Sequence, residues 1–401
     1  MGSWESVRHR PEHRRGVPRS PNEMDASRDR QRCASVAVES NHERGRRPRR
    51  VTTIGLDIAK NVFQVDGVDA RGRVVLRKRL ARAKVVAFFA NLPRCLVGLE
   101  ACGGAPHWAR ELTRLGHEAR LMPPQDVKAY VKTNKHDAAD AEGCCEAVRR
   151  PGMRFLGLQT GLGAWAGNPR IAIKGEDRQA LLMLHRVRDQ LIGQRTATIN
   201  ALRGHLAEFG IVAAQRQAGV RQLLMVLGEV EDDRIPPLAR AMLQMLVAHL
   251  GALADRIAEL DRRLVALTRS DPVCRTLAEV PGVGPVIAPA FTATVPDATS
   301  FRSGRRLAAW RGLVPRQHAS GGKPRQLGLS KRGDAYLRRQ LIHGARALVK
   351  VSPGRSGKLW AWINGLRQRR PFNVVVAAVA NKLARIIWAL LSRGEAYRAA
   401  A

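Results

Sequence analysis

The sequence predicts three folded regions: a mixed α/β layer, a helical coiled coil, and a mainly helical, strongly basic C-terminal domain. Short apolar strands alternate with helical segments between residues 51 and 155, which is typical of an α/β layer. Leucines recur every three or four residues over 243–267, as in a coiled-coil seam. Residues 300–350 hold 13 Lys and Arg but one acid. A chain of 401 residues is long enough for two or three domains.

The net charge of the chain limits the kinds of binding partner that we expect. There are 69 Lys and Arg against 34 Asp and Glu, a net charge of +35. Nucleic acid is the expected partner, because its phosphates release counterions when they are neutralised. A membrane is not expected, since no apolar run reaches the roughly 18 residues of a spanning helix. There is no signal-peptide core either, so we expect a cytoplasmic, nucleoid-associated bacterial protein.

Composition divides the chain into six segments. Residues 1–50 contain 13 Arg and 7 acids without helical or strand periodicity, which favours a disordered basic extension or a start codon assigned too early. The remaining segments are 51–155 (α/β domain), 156–173 (glycine-containing linker or insertion), 174–270 (helical coiled coil), 271–395 (C-terminal domain) and 396–401 (tail).

The α/β domain is predicted element by element. Alternating or continuous apolar runs with turn residues between them indicate strands. Strands are expected at 51–57, 61–68, 73–80, 95–100 and 118–122, with helices at about 82–92 and 107–115. Two strands end in acids, Asp57 and Glu100, and a later helix carries Asp137 and Asp140 three residues apart, on one face.

These four carboxylates are the candidate metal ligands. Four like charges brought together repel each other unless cations bind them, and hard oxygen ligands suit Mg²⁺ or Mn²⁺. Two such ions about 4 Å apart stabilise the attacking and leaving oxygens of a phosphodiester displacement. Any one acid alone is typical of a solvated surface. We interpret three neighbouring acids that way: Asp66, Asp69 and Glu142.

The middle region is predicted to be two long helices. The first covers about 176–209, and the second carries the strict seam over 243–267. The seam can pair with the first helix in the same chain or with a second subunit. Its members are Leu243, Leu246, Leu250, Leu253, Ile257, Leu260, Leu264 and Leu267. We interpret them as core residues.

The C-terminal domain begins with a glycine-containing turn. The segment Val280-Pro-Gly-Val-Gly-Pro-Val-Ile-Ala is similar to a helix-hairpin-helix, in which Gly282 and Gly284 allow a tight turn whose amides bind phosphate. The same residues also form ordinary turns. Two apolar helices are predicted further on, at about 334–350 and 373–391.

A serine lies in the most basic stretch. Ser320 precedes Gly-Gly, and a serine among cations could attack phosphorus while the cations stabilise the transition state. A Ser-Gly-Gly segment alone is more often a loop. Ser303 is assigned to a charged loop and Ser330 to a turn or helix cap before Lys331. The cations predicted to bind nucleic acid are Arg316, Lys323, Arg325, Lys331 and Arg332.

The motifs together carry a family resemblance. Gly55-Leu-Asp57-Ile-Ala-Lys60, Gly98-Leu-Glu100 and Lys135-His-Asp137-Ala-Ala-Asp140 resemble the DEDD motif of the insertion-sequence 110 transposase family. The resemblance implies an RNase H-like (RuvC-like) N-terminal domain. It also implies catalytic and metal-binding roles for those four acids.

The C-terminal motifs extend the resemblance. Phe301 to Pro315, Ser320-Gly-Gly and Ser330 to Arg338 resemble the transposase domain of the same family. This implies that Ser320 is the nucleophile of a DNA-cleaving and DNA-joining enzyme that uses Mg²⁺. It also implies a non-coding bridge RNA and a homo-oligomer, dimer or tetramer, formed through the coiled coil.

The sequence departs from the family pattern at 156–173. Members usually pass almost directly from a segment like Arg154-Phe155 to one like Lys174-Gly-Glu-Asp, so the intervening residues are a local frameshift or a tolerated insertion. Two other readings stay open. One is a metal-dependent nuclease or junction resolvase that uses the carboxylates alone. The other is an architectural binder or an inactive copy.

Overall fold

A computed structural model describes residues 50–131, 137–153, 155, 174–214, 216–228, 233–295, 297–320 and 323–398. The predictions for residues 1–49 and for the segment 156–173 lie outside these described residues. Within them, an N-terminal mixed sheet with helices is followed by a mostly helical region. The fold class predicted from the sequence is confirmed at that level.

The N-terminal sheet has five strands in the order β3-β2-β1-β4-β5. β1 pairs with β2 and β2 with β3 in antiparallel fashion, whereas β4 runs parallel to β1 and β5 parallel to β4. Every strand predicted for this domain is present, with its ends within two residues. The strands are β1 Thr53–Ile58, β2 Val62–Val68, β3 Val74–Ala81, β4 Leu96–Glu100 and β5 Glu118–Met122.

Helices cover both faces of the sheet. The helices are α1 Val85–Ala90, α2 Ala105–Arg114, α3 Pro124–Val127 and α4 Asp137–Val148. Ile54 and Leu56 of β1 pack in one core with Trp108 of α2 and Phe89 of α1. Because strand side chains alternate, the odd-numbered positions of β1 face the other side, where α4 packs across β1, β2 and β4.

Three helices form the middle region. They are α5 Glu176–Glu208, α6 Arg216–Gly228 and α7 Pro237–Ser270, and α5 packs along α7. Five seam residues of α7 are buried: Leu243, Leu250, Leu253, Ile257 and Leu264. The sequence left the partner of the seam open, and in the structure it is α5 of the same chain. Leu267, at the end of the seam, is 39% exposed.

Two helices of the described chain are apolar enough and long enough to cross a membrane. These are α7 and a C-terminal helix, Phe372–Arg393. Both helices are interrupted by charged residues, so neither is a continuous apolar run of the length considered in the sequence. The C-terminal helix, α13, contributes Val379, Leu383 and Ile387 to the core of its domain, and α7 packs on α5. Each apolar run therefore has a packing role within this fold.

The C-terminal region is helical apart from one hairpin. Its elements are α8 Pro272–Ala278, α9 Ile287–Thr294, α10 Gly304–Trp310, β6 Pro315–Ser320, β7 Lys323–Leu329, α11 Ala335–Val351, α12 Lys358–Arg369 and α13 Phe372–Arg393. The two apolar helices predicted at 334–350 and 373–391 correspond to α11 and α13. The hairpin β6–β7 was not predicted.

The first turns of α5 connect the sheet domain with the C-terminal region. Arg110 of α2 donates hydrogen bonds to the Lys174 carbonyl oxygen at 3.1 Å and to Gln179 Oε1 at 3.0 Å. Further along α5, His185 Nδ1 lies 3.0 Å from the Tyr336 hydroxyl of α11. The start of α5 therefore contacts α2 directly, and its third turn contacts α11.

Candidate active site

Asp57 and Glu100 lie at neighbouring strand ends. In the parallel β1–β4 pair, Gly55 is opposite Gly98 and Leu56 opposite Leu99. The next position on each strand is Asp57 and Glu100. Adjacent strands are about 4.8 Å apart, and parallel strands end at the same edge of a sheet. The two acids therefore occupy equivalent positions on the face that carries α4.

Two glycines let α4 approach the sheet. A Cβ atom at Gly55 would lie 2.0 Å from the carbonyl oxygen of Ala141, and one at Gly98 would lie 2.6 Å from Cβ of Val148. Any larger residue would push the helix away. Gly55 and Gly98 each precede an acid by two residues, so they lie on the same face as that acid. The Gly-Leu-acid spacing is thus a packing requirement for the helix.

The packing of α4 sets the position of its own acids. Ala141 lies over Gly55, and four residues of helix span about 6 Å, close to the length of two strand residues. Asp137 at the start of α4 is therefore near the level of Asp57. Asp140 is in the same first turn, and carboxylates are favoured there by the partial positive charge of the helix N-terminus.

The charges of the other three acids act on Asp57. The pKa of Asp57 is raised from 3.8 to about 6, first by burial and then by the charges of Asp137, Asp140 and Glu100, in that order. Burial also raises the pKa of Cys144, next to Asp57, Glu100 and Asp140. Three other carboxylates oppose the negative charge of Asp57. A bound cation would relieve this repulsion.

The donor set fits a hard divalent cation in its chemistry. All four groups are carboxylates, and their mutual repulsion is the property that such an ion removes. As the side chains stand, no group of three or more His, Cys, Asp or Glu in the described part of the chain is arranged to hold a metal ion. Without a cation, like charges are expected to stay apart. The metal-binding role of these acids stays a prediction.

Two acids interpreted as solvated surface groups are in fact buried. Asp66 is 3% exposed and Asp69 is 6% exposed. Asp66 accepts a hydrogen bond from Arg77 Nε at 2.8 Å, and Asp69 Oδ1 accepts from the backbone amide of Arg73 at 3.0 Å. That interpretation is wrong for both, because the sequence does not show that an arginine on β3 faces Asp66. Glu142 is half-buried and also contacts Arg77.

Ser320 lies at the end of a basic hairpin. β6 and β7 pair antiparallel, with Ser320 opposite Lys323 as the last pair. Residues 315–319 of β6 are all exposed, so the hairpin has no core of its own along this strand. An isolated two-stranded hairpin is marginally stable in water, which is consistent with a segment that acts against a bound partner.

One face of the hairpin gathers further candidates. Because strand positions two apart share a face and paired positions lie side by side, positions 318, 320, 323 and 325 lie on one face. His318 pairs with Arg325 and Ser320 with Lys323. Sequence reasoning named Lys323 and Arg325 but missed His318. A two-residue Gly-Gly connection between two short runs is a hairpin signal and would have indicated this face.

Ser303 differs from its predicted setting in a loop, and Ser330 is not the helix cap that was one of its two predicted settings. Ser303 is the N-cap of α10 and accepts from the Arg306 amide at 3.4 Å. The cap of α11 is Asp334, whose Oδ1 accepts from the Leu337 amide at 2.8 Å, so Ser330 does not cap that helix. The Ser330 hydroxyl is buried without a hydrogen-bond partner among the described residues.

The loop after β7 is held tightly against α10. Lys331 has φ 54°, a left-handed conformation that costs energy in a non-glycine residue. Gly333 and Gly312 also have positive φ, and a Cβ at Gly312 would lie 2.3 Å from the Arg332 carbonyl oxygen. Lys331 and Arg332 are exposed. The predicted nucleic-acid-binding cations of this loop are thus presented on a rigid backbone.

The helix-hairpin-helix-like segment has a packing role. It connects α8 and α9, and Gly282 has φ 79°. A Cβ at Gly344 of α11 would lie 2.1 Å from the Gly282 carbonyl oxygen, so this turn is pressed against α11. Gly284 has open space where a Cβ would be. Phosphate binding by these two glycines stays a prediction.

Comparison with known proteins gives a consistent result. Residues 274–360 match the family model described as Transposase IS116/IS110/IS902 family. The chain is 48% identical over 349 residues to a probable family 20 transposase of Pseudomonas aeruginosa, covering 87% of this chain and 99% of that protein.

Two further relatives have similar coverage. The chain is 39% identical over 359 residues to the transposase for insertion sequence element IS1111A of Coxiella burnetii, covering 90% of this chain and 94% of that protein. It is 38% identical over 347 residues to the transposase for insertion sequence element IS1328 of Yersinia enterocolitica, covering 86% and 98%. With this identity over nearly the full length of its relatives, the chain belongs to the IS116/IS110/IS902 family of transposases.

Proposed function

We propose that this transposase cleaves and rejoins DNA strands with Ser320 as its nucleophile and with Asp57, Glu100, Asp137 and Asp140 as ligands for Mg²⁺ or Mn²⁺. The observation that carries the proposal is the electrostatic coupling of the four acids, in which Asp137, Asp140 and Glu100 raise the pKa of Asp57. Acids from two strand ends and one helix would not be assembled at this cost without a cation to bind.

The architecture of the sheet domain supports an RNase H-like, RuvC-like assignment. Three antiparallel strands are followed by two strands parallel to β1, and helices cover both faces. Acids stand at the ends of β1 and β4 and at the N-terminus of a helix packed on them. This is the placement that the family resemblance leads us to expect.

The proposed role of the four acids is to hold and orient divalent cations. Divalent cations bound there would stabilise the negative charge that develops on the attacking and leaving oxygens of a phosphodiester. Asp57 and Glu100 are half-buried, so their carboxylates are held by a rigid sheet edge. Asp137 and Asp140 are in the first turn of α4, which packs on the sheet.

The role of Ser320 is covalent. Its oxygen would form a bond to phosphorus while a phosphorus–oxygen bond to one nucleotide breaks, which leaves a free hydroxyl on that strand and a phosphoserine on the other. Attack by a second strand's hydroxyl on the phosphoserine would rejoin DNA and release the serine. The cations on its face, Lys323 and Arg325, are placed to stabilise the charged transition state.

A bridge RNA and a homo-oligomer complete the proposal. The net charge of +35 supports a large polyanionic partner. The leucine seam of α7 is occupied by α5, but Leu238, Met242 and Met245 on another face of α7 are 75%, 50% and 66% exposed. Exposed apolar residues at helical spacing fit a second subunit that packs on α7.

A covalent adduct tests the serine chemistry. The protein is incubated with Mg²⁺, DNA carrying the element's ends and RNA from its flanking region, and run on a denaturing gel. We expect a protein–DNA adduct that is lost in Ser320→Ala and kept in the matched control Ser330→Ala. An adduct that survives Ser320→Ala would contradict the nucleophile assignment.

A metal-dependent nuclease is the second candidate function. It is favoured by the fact that Asp57 and Glu100 belong to the five-stranded sheet and α4 packs on it, whereas Ser320 lies at the end of a two-stranded hairpin. It requires that Ser320→Ala still nicks DNA without an adduct and that Asp57→Asn abolishes nicking. Binding of DNA and RNA with neither adduct nor nicking would instead indicate an architectural binder or an inactive copy.

A further inference from the structure

A basic cavity lies between the start of α10 and the middle of α13. It has a volume of about 480 Å³, and its walls include Arg305, Lys382, Arg385, Ile386 and Trp388. This α10–α13 cavity shares no lining residue with the cavity at the base of the β6–β7 hairpin. Neither the proposed chemistry nor the predicted nucleic-acid-binding residues include any of these five side chains.

The packing of the two helices concentrates positive charge at the cavity. A Cβ at Gly304 would lie 2.9 Å from Cα of Arg385, so the backbones touch and Arg305 is brought beside Arg385. Lys382 is three residues before Arg385 and shares its helix face. Lys382 Nζ also lies 4.9 Å from the ring centroid of Trp362.

These cations have no counter-charge in the described part of the chain. No ion pair joins Arg305, Lys382 or Arg385 to a carboxylate there. The acid that precedes α10, Asp297, caps the short helix before it and accepts from the Thr299 amide at 2.8 Å. Three crowded, unpaired cations repel each other, and an anion in the cavity would remove that cost.

The floor of the cavity is apolar and rigid. The indole N–H of Trp388 donates to the carbonyl oxygens of Ala298 at 3.0 Å and Phe301 at 3.1 Å. The polar edge of the ring is therefore committed, and carbon atoms remain for the cavity, beside Ile386. An aromatic ring next to cations is the arrangement on which single-stranded nucleic acids stack their bases while their phosphates are neutralised.

We propose that the α10–α13 cavity binds an unpaired nucleotide of a single-stranded segment. The base rests on Trp388 and Ile386, and the adjoining phosphates contact Arg305, Lys382 and Arg385. A base within a duplex is stacked and cannot reach such a floor. The inference rests on the proposed function only in that the chain acts on nucleic acid, and the unpaired nucleotide can belong to RNA or to a displaced DNA strand.

Salt-dependent binding provides the first test. Labelled single strands of RNA and DNA with one sequence, and a DNA duplex, are titrated with the intact chain in EDTA at several salt concentrations. The double variant Lys382→Gln/Arg385→Gln is compared with Arg256→Gln/Arg262→Gln, which removes two exposed cations from α7. We expect the site variant to flatten the single-strand salt slope by about 1.4, since each lost contact contributes about 0.7.

The test compares the salt slopes of the two double variants on single-stranded and on duplex ligands. The α7 variant should leave the single-strand slope unchanged, and the site variant should affect duplex binding little. Equal losses in both double variants, or an equal loss for duplex and single strand, would overturn the proposal. A change confined to RNA or to single-stranded DNA would identify the source of the nucleotide.

Photocrosslinking tests the stacking contact directly. Single strands carrying 5-iodouracil are irradiated with the wild-type chain, and the crosslinked peptide is identified by mass spectrometry. We expect a crosslink to Trp388, and crosslinks found only elsewhere would refute the floor assignment. Both measurements omit Mg²⁺ and require no strand cleavage, so a failure of the serine chemistry would leave them unchanged.

Discussion

Replacement of Asp57 by asparagine should stabilise the protein in the absence of metal while removing its activity. Burial and three neighbouring carboxylates raise the pKa of Asp57 from 3.8 to about 6. A shift of two units corresponds to about 3 kcal/mol. Because Asp57 is only half-buried, solvent screening reduces this to about 1–2 kcal/mol. Asparagine has nearly the shape of the protonated acid, and it does not carry the negative charge of the carboxylate.

The size of this effect depends on pH. The folded pKa is raised, so the stability associated with protonated Asp57 is fully present below about pH 4 and is lost as the pH rises through 6. Asp57→Asn should therefore raise the free energy of unfolding by about 1–2 kcal/mol at pH 7.5 and change it little at pH 4. Urea denaturation in EDTA, followed by circular dichroism at both pH values, measures the difference.

Asp66→Asn is the matched control, with the opposite sign expected. Asp66 is buried beside Arg77 at 2.8 Å, so loss of its charge should destabilise the chain by about 1–2 kcal/mol at pH 7.5. The reasoning about Asp57 is refuted if Asp57→Asn destabilises the metal-free chain at pH 7.5, or if its effect is the same at both pH values. Addition of Mg²⁺ should stabilise the wild type and not the Asp57 variant.

Three other substitutions test separate parts of the structure. Ser330→Ala removes a buried hydroxyl that has no hydrogen-bond partner among the described residues. It should leave adduct formation intact and raise the free energy of unfolding by up to about 1 kcal/mol; a clear loss of stability would show an unrecognised hydrogen bond. Gly98→Ala places a Cβ 2.6 Å from Val148 and should cost about 1–3 kcal/mol, whereas Gly284→Ala, with open space around it, should not destabilise by crowding. Leu264→Ala, at a fully buried seam position, should cost about 2–5 kcal/mol, and the exposed Leu267→Ala should cost much less in the same denaturation assay.

The local pattern of residues was enough to place most elements. Strands of the sheet, the long helices α5 and α7, and the apolar helices α11 and α13 all follow from periodicity, because a buried face repeats every two residues in a strand and every 3.6 in a helix. The hairpin β6–β7 escaped that reasoning. Its first strand is exposed along 315–319, so no buried face imposes a hydrophobic alternation.

For the candidate site, too, some features follow from the sequence and others only from the tertiary structure. The sequence by itself determined which acids to examine, since Asp57, Glu100 and the pair on α4 follow motifs that are local in the chain. Only the tertiary structure decided that these acids are neighbours, because the parallel register of β1 with β4 and the contact of α4 with Gly55 join residues far apart in sequence. Likewise, the burial of Asp66 against Arg77, the pairing of the α7 seam with α5, and the cations of the α10–α13 cavity depend on which surfaces pack together. Periodicity specifies that a face is buried, but its partner is chosen by the packing of the whole chain.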